Sequence, residues 1–280
     1  MAPIRFVAVG DVLVDVISAD TPEPDRRLHA PVALRAGGSA TNAAVWASAL
    51  GASAAVVGKV GTDAAGDLVG RVLADRGIEA QLGHDPGLPT GVAVALGTAV
   101  IASRGASARL APDDVPDSLT GHALLVSGFS LFQEDSAAGA QTALKRFDGQ
   151  WIAVDLASPR LAANADLNAV CAGANVILAT AEEAHAVTGL EPEDAVRTLA
   201  ARFGLACVKL GDQETLAAQG NRIVKAKAAP VERRSRFGAG DAFAAALLVA
   251  LAESESLEQA LDAGCAAGAR AAASEDGWPQ

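Results

Sequence analysis

Tyrosine is absent from this 280-residue chain, methionine occurs once, and seven Phe and three Trp are its only aromatics. So few rings leave little with which to stack a nucleobase. Cysteine is scarce as well: Cys171, Cys207 and Cys265 lie far apart with no CxxC pair, which excludes a disulfide framework and a zinc site of usual spacing. Buried thiols in a reducing cytoplasm are expected. Basic residues are the minority, 22 against 33 acids for a net charge of −11. That balance excludes a generic polyanion binder, so no nucleic-acid partner is expected and any phosphate must be held locally. Long uncharged apolar runs are missing outside alanine-rich stretches of helical period, so no membrane span or membrane partner is expected. The N-terminal MAPIRFVAVGDVLVDVI is apolar but carries Arg5, Asp11 and Asp15, and reads as a first strand instead of a signal peptide. With no internal repeat and no low-complexity linker, residues 1–280 read as one soluble, cytoplasmic domain with a small appendage.

Short β-branched runs recur at 4–10, 54–58, 91–96, 123–128, 151–155, 175–178 and 206–211, and helical patterns lie between most of them. Over 63–77, Leu68 and Val72, then Val69 and Leu73, fall four apart; Asp63 suits an N-cap and Gly77 a stop. Alternating strands and helices predict an α/β domain with a mostly parallel sheet covered on both faces. Ligands of such sheets sit beyond the carboxyl ends of the strands. Asp11, Asp15, Ser127, Gly128, Asp155 and Lys209 to Gly211 all follow or close predicted strands. Residues 18–36, with three prolines and mixed charge, break the alternation and read equally as a short hairpin over a site or as a solvated loop.

Two phosphate devices are excluded. GASAAVVGKV places six residues between Gly51 and Gly58 where a P-loop has four, and Val60 follows Lys59 where Ser or Thr would hold magnesium. GAGDAF lacks the third glycine of a dinucleotide fingerprint and has no second βαβ half after it.

What remains is SRFGAGDAFAAALLVALAE. Gly238, Ala239 and Gly240 precede a helix with Phe243, Leu247 and Leu251 on one face. Free N–H groups at its start, and the positive end of its dipole, form an anion site that small residues leave open to a ligand. Asp241, in the first turn, could serve only as a favourable N-terminal charge. The glycines, each costing backbone entropy, point instead to a general base beside a transferring phosphoryl group. Near the front, RAGGSATNAAVWASALG sets Gly37 and Gly38 before Ser39 and Asn42. A glycine pair admits a ligand to the backbone, and Asn offers donor and acceptor to neighbouring sugar hydroxyls. Asp15 could accept from two hydroxyls. Phe129, Phe132 and Trp46 are expected in the core, and Arg104 and Arg160 in solvent, although either Arg could meet an acidic sugar's carboxylate.

In this order, GDVLVD, GGSATNAA, GKVGTDAAGDLVGRVLADRGI, LVSGF, AVDLASPR and GAGDAF resemble the ribokinase-like (PfkB) carbohydrate kinases over about residues 4–268. The resemblance implies a three-layer α/β/α sandwich of ribokinase type with a small lid, drawn from about 18–36 and 88–104. It implies ATP-dependent phosphorylation of a sugar hydroxymethyl group with magnesium. Asp241 would be the catalytic base and Gly238, Ala239 and Gly240 the anion hole. Asp15, Gly38, Ser39 and Asn42 would bind the sugar, Lys209 and Gly211 the nucleotide, and Glu183 would organise the metal through water. The family commonly reads DTTGAGD where this chain has Ser235, Arg236 and Phe237, which removes the Asp and Thr of the monovalent-cation site of many relatives. Thr180 replaces the Asn of an NxxE motif, and Glu214 a usual Gly. The segment 94–110 is shorter than the family's hairpin region, which trims the lid through which such kinases commonly form a homodimer. A nucleoside kinase of the same fold, and a ligand-binding or regulatory homologue without turnover, are the alternatives.

Overall fold

The computed structural model describes residues 3–21, 23, 25, 27–97, 99–212, 214–235 and 237–279. Arg236, one of the three residues that replace the DTT pattern, lies outside the described residues. The first half of the chain carries strands β1 (Arg5–Val9), β2 (Leu13–Ser18), β3 (Ala33–Gly37), β4 (Ser53–Gly61), β5 (Glu79–Asp85), β6 (Thr90–Leu96) and β7 (Ala99–Gly105). The second half adds β8 (Leu119–Thr120), β9 (Ala123–Ser127), β10 (Phe147–Asp148), β11 (Trp151–Asp155), β12 (Val176–Thr180), β13 (Leu205–Lys209), β14 (Thr215–Gln219) and β15 (Arg222–Ala226). The helices are α1 (Ser39–Ala49), α2 (Ala64–Asp75), α3 (Gly128–Leu131), α4 (Glu134–Arg146), α5 (Pro159–Ala162), α6 (Leu167–Val170), α7 (Ala181–Thr188), α8 (Pro192–Phe203), α9 (Ala239–Ala252) and α10 (Leu257–Ala273).

Among the described residues nine strands form one sheet in the order β15-β14-β13-β12-β11-β9-β1-β4-β5. From β13 to β5 all neighbours run parallel, and β14 and β15 close one edge as an antiparallel hairpin. Alternation along β1 splits the core between the two faces. Phe6 and Ala8 pack with α1, α9 and α10, whereas Val7 and Val9 pack with residues of α4, α7 and α8. This is the three-layer α/β/α sandwich that strand–helix alternation requires. Helix α9 is buried all round from Ala242 to Leu251, not on one face alone, because the sheet, α1 and α10 enclose it. Burying each of its large apolar side chains contributes about 1.5–3 kcal/mol.

The strand order reverses at β1, which has β9 on one side and β4 on the other. A parallel sheet opens its ligand crevice at such a switch point, beyond the carboxyl ends. Above it stands a second sheet of four strands, β3-β2-β6-β7, in which β2 is parallel to β6 and the other pairs are antiparallel. Asp15 of β2 faces Arg35 of β3 in register, so the region 18–36 contributes a strand at its end, with no helix or strand among the described residues of 19–32. Asp63 caps α2 through Gly66 N (2.9 Å) and also accepts from Thr90 N (2.8 Å) and Thr90 Oγ1 (2.6 Å). One carboxylate thereby fastens the helix to the start of β6. Burial, the largest single influence, raises the carboxyl, but those bonds together outweigh it and hold it below the usual carboxylate range.

Candidate active site

Two adjoining cavities open at the carboxyl ends of the parallel strands. The larger, about 770 Å³, is walled by β13, the hairpin loop Lys209–Asp212, residues 228–231 and the α10 face bearing Gly268, Ala269 and Ala272. The smaller, about 320 Å³, is lined by Ser39, Ala40, Ser127, Asp155, Glu183 and Asp241, among others. Thr180, Lys209 and Gly240 line both. The start of α9 thus stands at their junction.

Gly238 caps α9 in the left-handed region (φ 83°), and a Cβ there would lie 2.9 Å from Gly277 O. Both facts call for glycine. Ala242 N already donates to Gly238 O (2.8 Å), while the N–H groups of Ala239, Gly240 and Asp241 precede any intrahelical partner. Asp241 stands in that first turn, and burial pushes its carboxyl up to about 7. Asn42 Nδ2 donates to Asp241 Oδ2 (3.0 Å), 199 residues away in sequence, and favours the charged form. The front and back motifs therefore meet in one place.

Asp15 is 1% exposed and accepts from Arg35 Nη2 at 2.9 Å. Burial outweighs that guanidinium and raises the carboxyl to about 6. Gly37 permits the approach, since a Cβ on it would meet the Asp15 carboxylate at 2.2 Å. Arg35 keeps Nε and Nη1 buried without a hydrogen-bond partner, and so does the hydroxyl of Ser39 beside the N-cap Gly38. The Ser39 hydroxyl, which lines the smaller cavity, is thus free to meet a polar ligand.

Lys209 Nζ donates to Asp155 Oδ2 at 3.0 Å. Burial works against its charge, but Asp155 and Glu183 prevail and hold it above its usual value. Glu183 is raised by burial and by Asp155. Its Oε2 accepts from Thr180 N (2.7 Å) while Thr180 Oγ1 accepts from Glu183 N (3.2 Å), a capping box at the start of α7. Threonine in place of the family's Asn is therefore a helix cap here. Glu214 and Gly211 line the larger cavity. Ser235 closes on its own loop, bonded to Phe237 N and O at 3.1 Å. Among the described residues no group of three or more His, Cys, Asp or Glu side chains is placed to hold a metal unaided. Asp155 and Glu183, which line the smaller cavity, are the carboxylates that could hold a Mg²⁺ through its waters, with phosphates supplying the remaining ligands.

Three participants go beyond the sequence reading. Arg104 is not solvated: Nε and Nη2 grip both oxygens of buried Asp11 (2.7–3.0 Å), and the guanidinium also reaches Ser130 and Ser136. Its signal was only its place at the end of a strand. Arg35 paired with Asp15 could have been inferred only from the register of β2 and β3. Trp278, near the C-terminus, donates from Nε1 to Asn42 Oδ1 (2.8 Å), a contact across 236 positions that no local pattern carries. Trp46 lies in the core as expected, whereas Phe129, expected there too, is exposed and lines the smaller cavity.

With this geometry established, comparison with known proteins gives the class. The pfkB family carbohydrate kinase model matches residues 4–277, and the chain belongs to that family. It is a phosphotransferase acting on a sugar hydroxyl. Among similar solved structures, adenosine kinase from Sinorhizobium meliloti has a TM-score of 0.84 at 23% identity, covering 99% of this chain and 96% of its own. Aminoimidazole riboside kinase from Salmonella enterica has a TM-score of 0.79 at 21% identity, covering 98% and 96%. Fructokinase from Vibrio cholerae O395, in a form with fructose, ADP and calcium, has a TM-score of 0.81 at 23% identity, covering 98% and 94%. These likenesses establish a ribokinase-type fold.

Proposed function

We propose that this protein transfers the γ-phosphoryl group of ATP to a primary hydroxyl of a sugar or sugar derivative, with Asp241 as general base. The observation that carries this reading is the position of Asp241 on the wall of the smaller cavity, in the first turn of a helix whose start, through Gly240, lines both cavities. The nucleotide would occupy the larger cavity, with its phosphates toward Lys209 and Gly211. The acceptor would lie toward Asp15, Gly38, Ser39 and Asn42, beneath the four-stranded sheet acting as a lid. Asp241 takes the hydroxyl proton as its oxygen attacks the γ-phosphorus and the bond to the leaving ADP oxygen breaks. The N–H groups of Gly238, Ala239 and Gly240 stabilise charge on the group in transit. Magnesium would neutralise phosphate charge, held through water by Glu183, and no monovalent cation is proposed.

A nucleoside acceptor is the second reading, favoured by Phe129 on the wall of the smaller cavity, where one ring could stack a base. Purified protein with magnesium-ATP and a panel of sugars and nucleosides tests both. ADP release with one class, lowered about 10³-fold or more by Asp241→Asn, is expected. Ligand-dependent thermal stabilisation without ADP from any acceptor would instead identify a binder without turnover.

For partners, we propose a second copy of this chain across the outer face of the four-stranded sheet. There Leu34, Val16, Val94 and Ile101 stand in one row by register, with Leu34 62% and Ile101 73% exposed. An uncharged row between two edge strands is self-complementary under a two-fold axis.

A further inference from the structure

We propose that Trp278 is a positioning residue for Asp241, acting through Asn42: the indole N–H dictates which end of the Asn42 amide faces the carboxylate. This rests on the reading of Asp241 as the base. An asparagine amide has two nearly isosteric ends, one accepting and one donating. The indole nitrogen only donates, so it takes Asn42 Oδ1 (2.8 Å) and turns Nδ2 to Asp241 Oδ2 (3.0 Å). With the amide reversed, oxygen would face oxygen, and only a protonated Asp241 could bond to it. A protonated carboxyl cannot accept the substrate's proton.

The indole is itself held firmly. It is 5% exposed and carries two guanidinium groups over its ring, Arg35 at 4.8 Å and Arg76 at 4.6 Å from the ring centroid. Its backbone N donates to Asp276 Oδ1 (3.1 Å), and the preceding Gly277 carbonyl accepts from Trp46 Nε1 (2.9 Å). Arg35 also pairs with Asp15, so one ring touches both substrate-side residues, Asn42 directly and Asp15 through Arg35. The groups facing Asp241 are Asn42 from α1, Asp155 from β11, Lys209 from β13, Asp15 from β2 and Arg35 from β3. Only Asn42 among these is uncharged and reversible, which makes its orientation the adjustable contribution to the carboxyl's protonation.

Trp278→Phe keeps an aromatic ring for the guanidinium groups and removes the indole donor along with some volume, which the Asn42→Ala background below separates. Carboxyl ¹³C titration, with Asp241→Asn assigning the signal, reads Asp241 without turnover. Its midpoint should rise by about one pH unit in Trp278→Phe, and the acid limb of kcat should move with it. In an Asn42→Ala background the same substitution should add no further shift. In wild-type protein the indole ¹⁵N–H signal of Trp278 should follow the Asp241 titration and lose that response in Asp241→Asn. An unchanged midpoint in Trp278→Phe, a shift that persists without Asn42, or a pH-insensitive indole signal would each overturn the proposal. Failure of the kinase reading would show separately, as wild-type protein releasing no ADP with the whole panel.

Discussion

A buried carboxylate serves this molecule in two opposed ways. As the proposed base Asp241 would have to be ionised, yet burial raises it to about 7, so kcat/KM should fall as pH drops below that value. Folding responds with the opposite sign. A carboxyl raised in the folded state binds its proton more tightly there than when unfolded, so its contribution is full below the unfolded value and is lost as pH rises through the folded one. Asp15, raised to about 6, acts in the same direction. Ligand-free protein should therefore lose thermal stability between about pH 4 and 7 from these two groups, and Asp241→Asn should flatten part of that decline in calorimetric scans. A Tm profile indifferent to Asp241→Asn would show that its carboxyl titrates alike in both states. Lys209 shows the converse balance: two acids hold its charge in a place that burial alone would forbid.

At the scale of elements, what joins the two sheets is a small set of polar ties. Arg104 at the end of β7 grips Asp11 just beyond β1 and reaches Ser130 and Ser136 below, and Ser107 Oγ bridges Val12 and Lys59. The side chains of Arg104 and Asp11 are 15% and 7% exposed, so removing one partner leaves a charge poorly solvated. Arg104→Ala should cost about 3 kcal/mol in denaturant unfolding and speed hydrogen exchange over 90–105. KM for the acceptor should rise more than kcat falls, because the sheet proposed as a lid loses its anchor. Arg104→Lys, which keeps the charge but not the fork, should recover only part of the loss. Exchange over 90–105 unchanged by Arg104→Ala would show that β2 and β6 hold the sheet without this tie.

The whole molecule leaves one feature unmatched by its own chain. Its nine-stranded sheet is covered on both faces, but the outer face of the four-stranded sheet presents Leu34 and Ile101 to water. Sedimentation should give a dimer, and Ile101→Glu, which buries a charge at a two-fold contact, should give a folded monomer with an unchanged melting profile at low concentration. A wild-type monomer at tens of micromolar would refute this. The net charge of −11 keeps such pairing specific to the uncharged row, since like charges elsewhere repel.

By itself the sequence determined the layers and marked the carboxylate proposed as the base. Period-2 apolar runs alternating with helical ones leave a parallel sheet covered on both faces as the stable arrangement, and glycines ahead of Asp241 mark a helix start open to an anion. Those signals are local, written within ten residues of the feature they specify. Tertiary structure decided the surroundings and partners of that carboxylate. Asn42 meets Asp241 across 199 positions, Trp278 meets Asn42 across 236, and Arg35 meets Asp15 only through strand register. The sequence assigned Arg104 to solvent because an isolated arginine carries no mark of its partner. Charge and orientation in a buried site depend on which distant groups converge there, and convergence is a property of the folded chain.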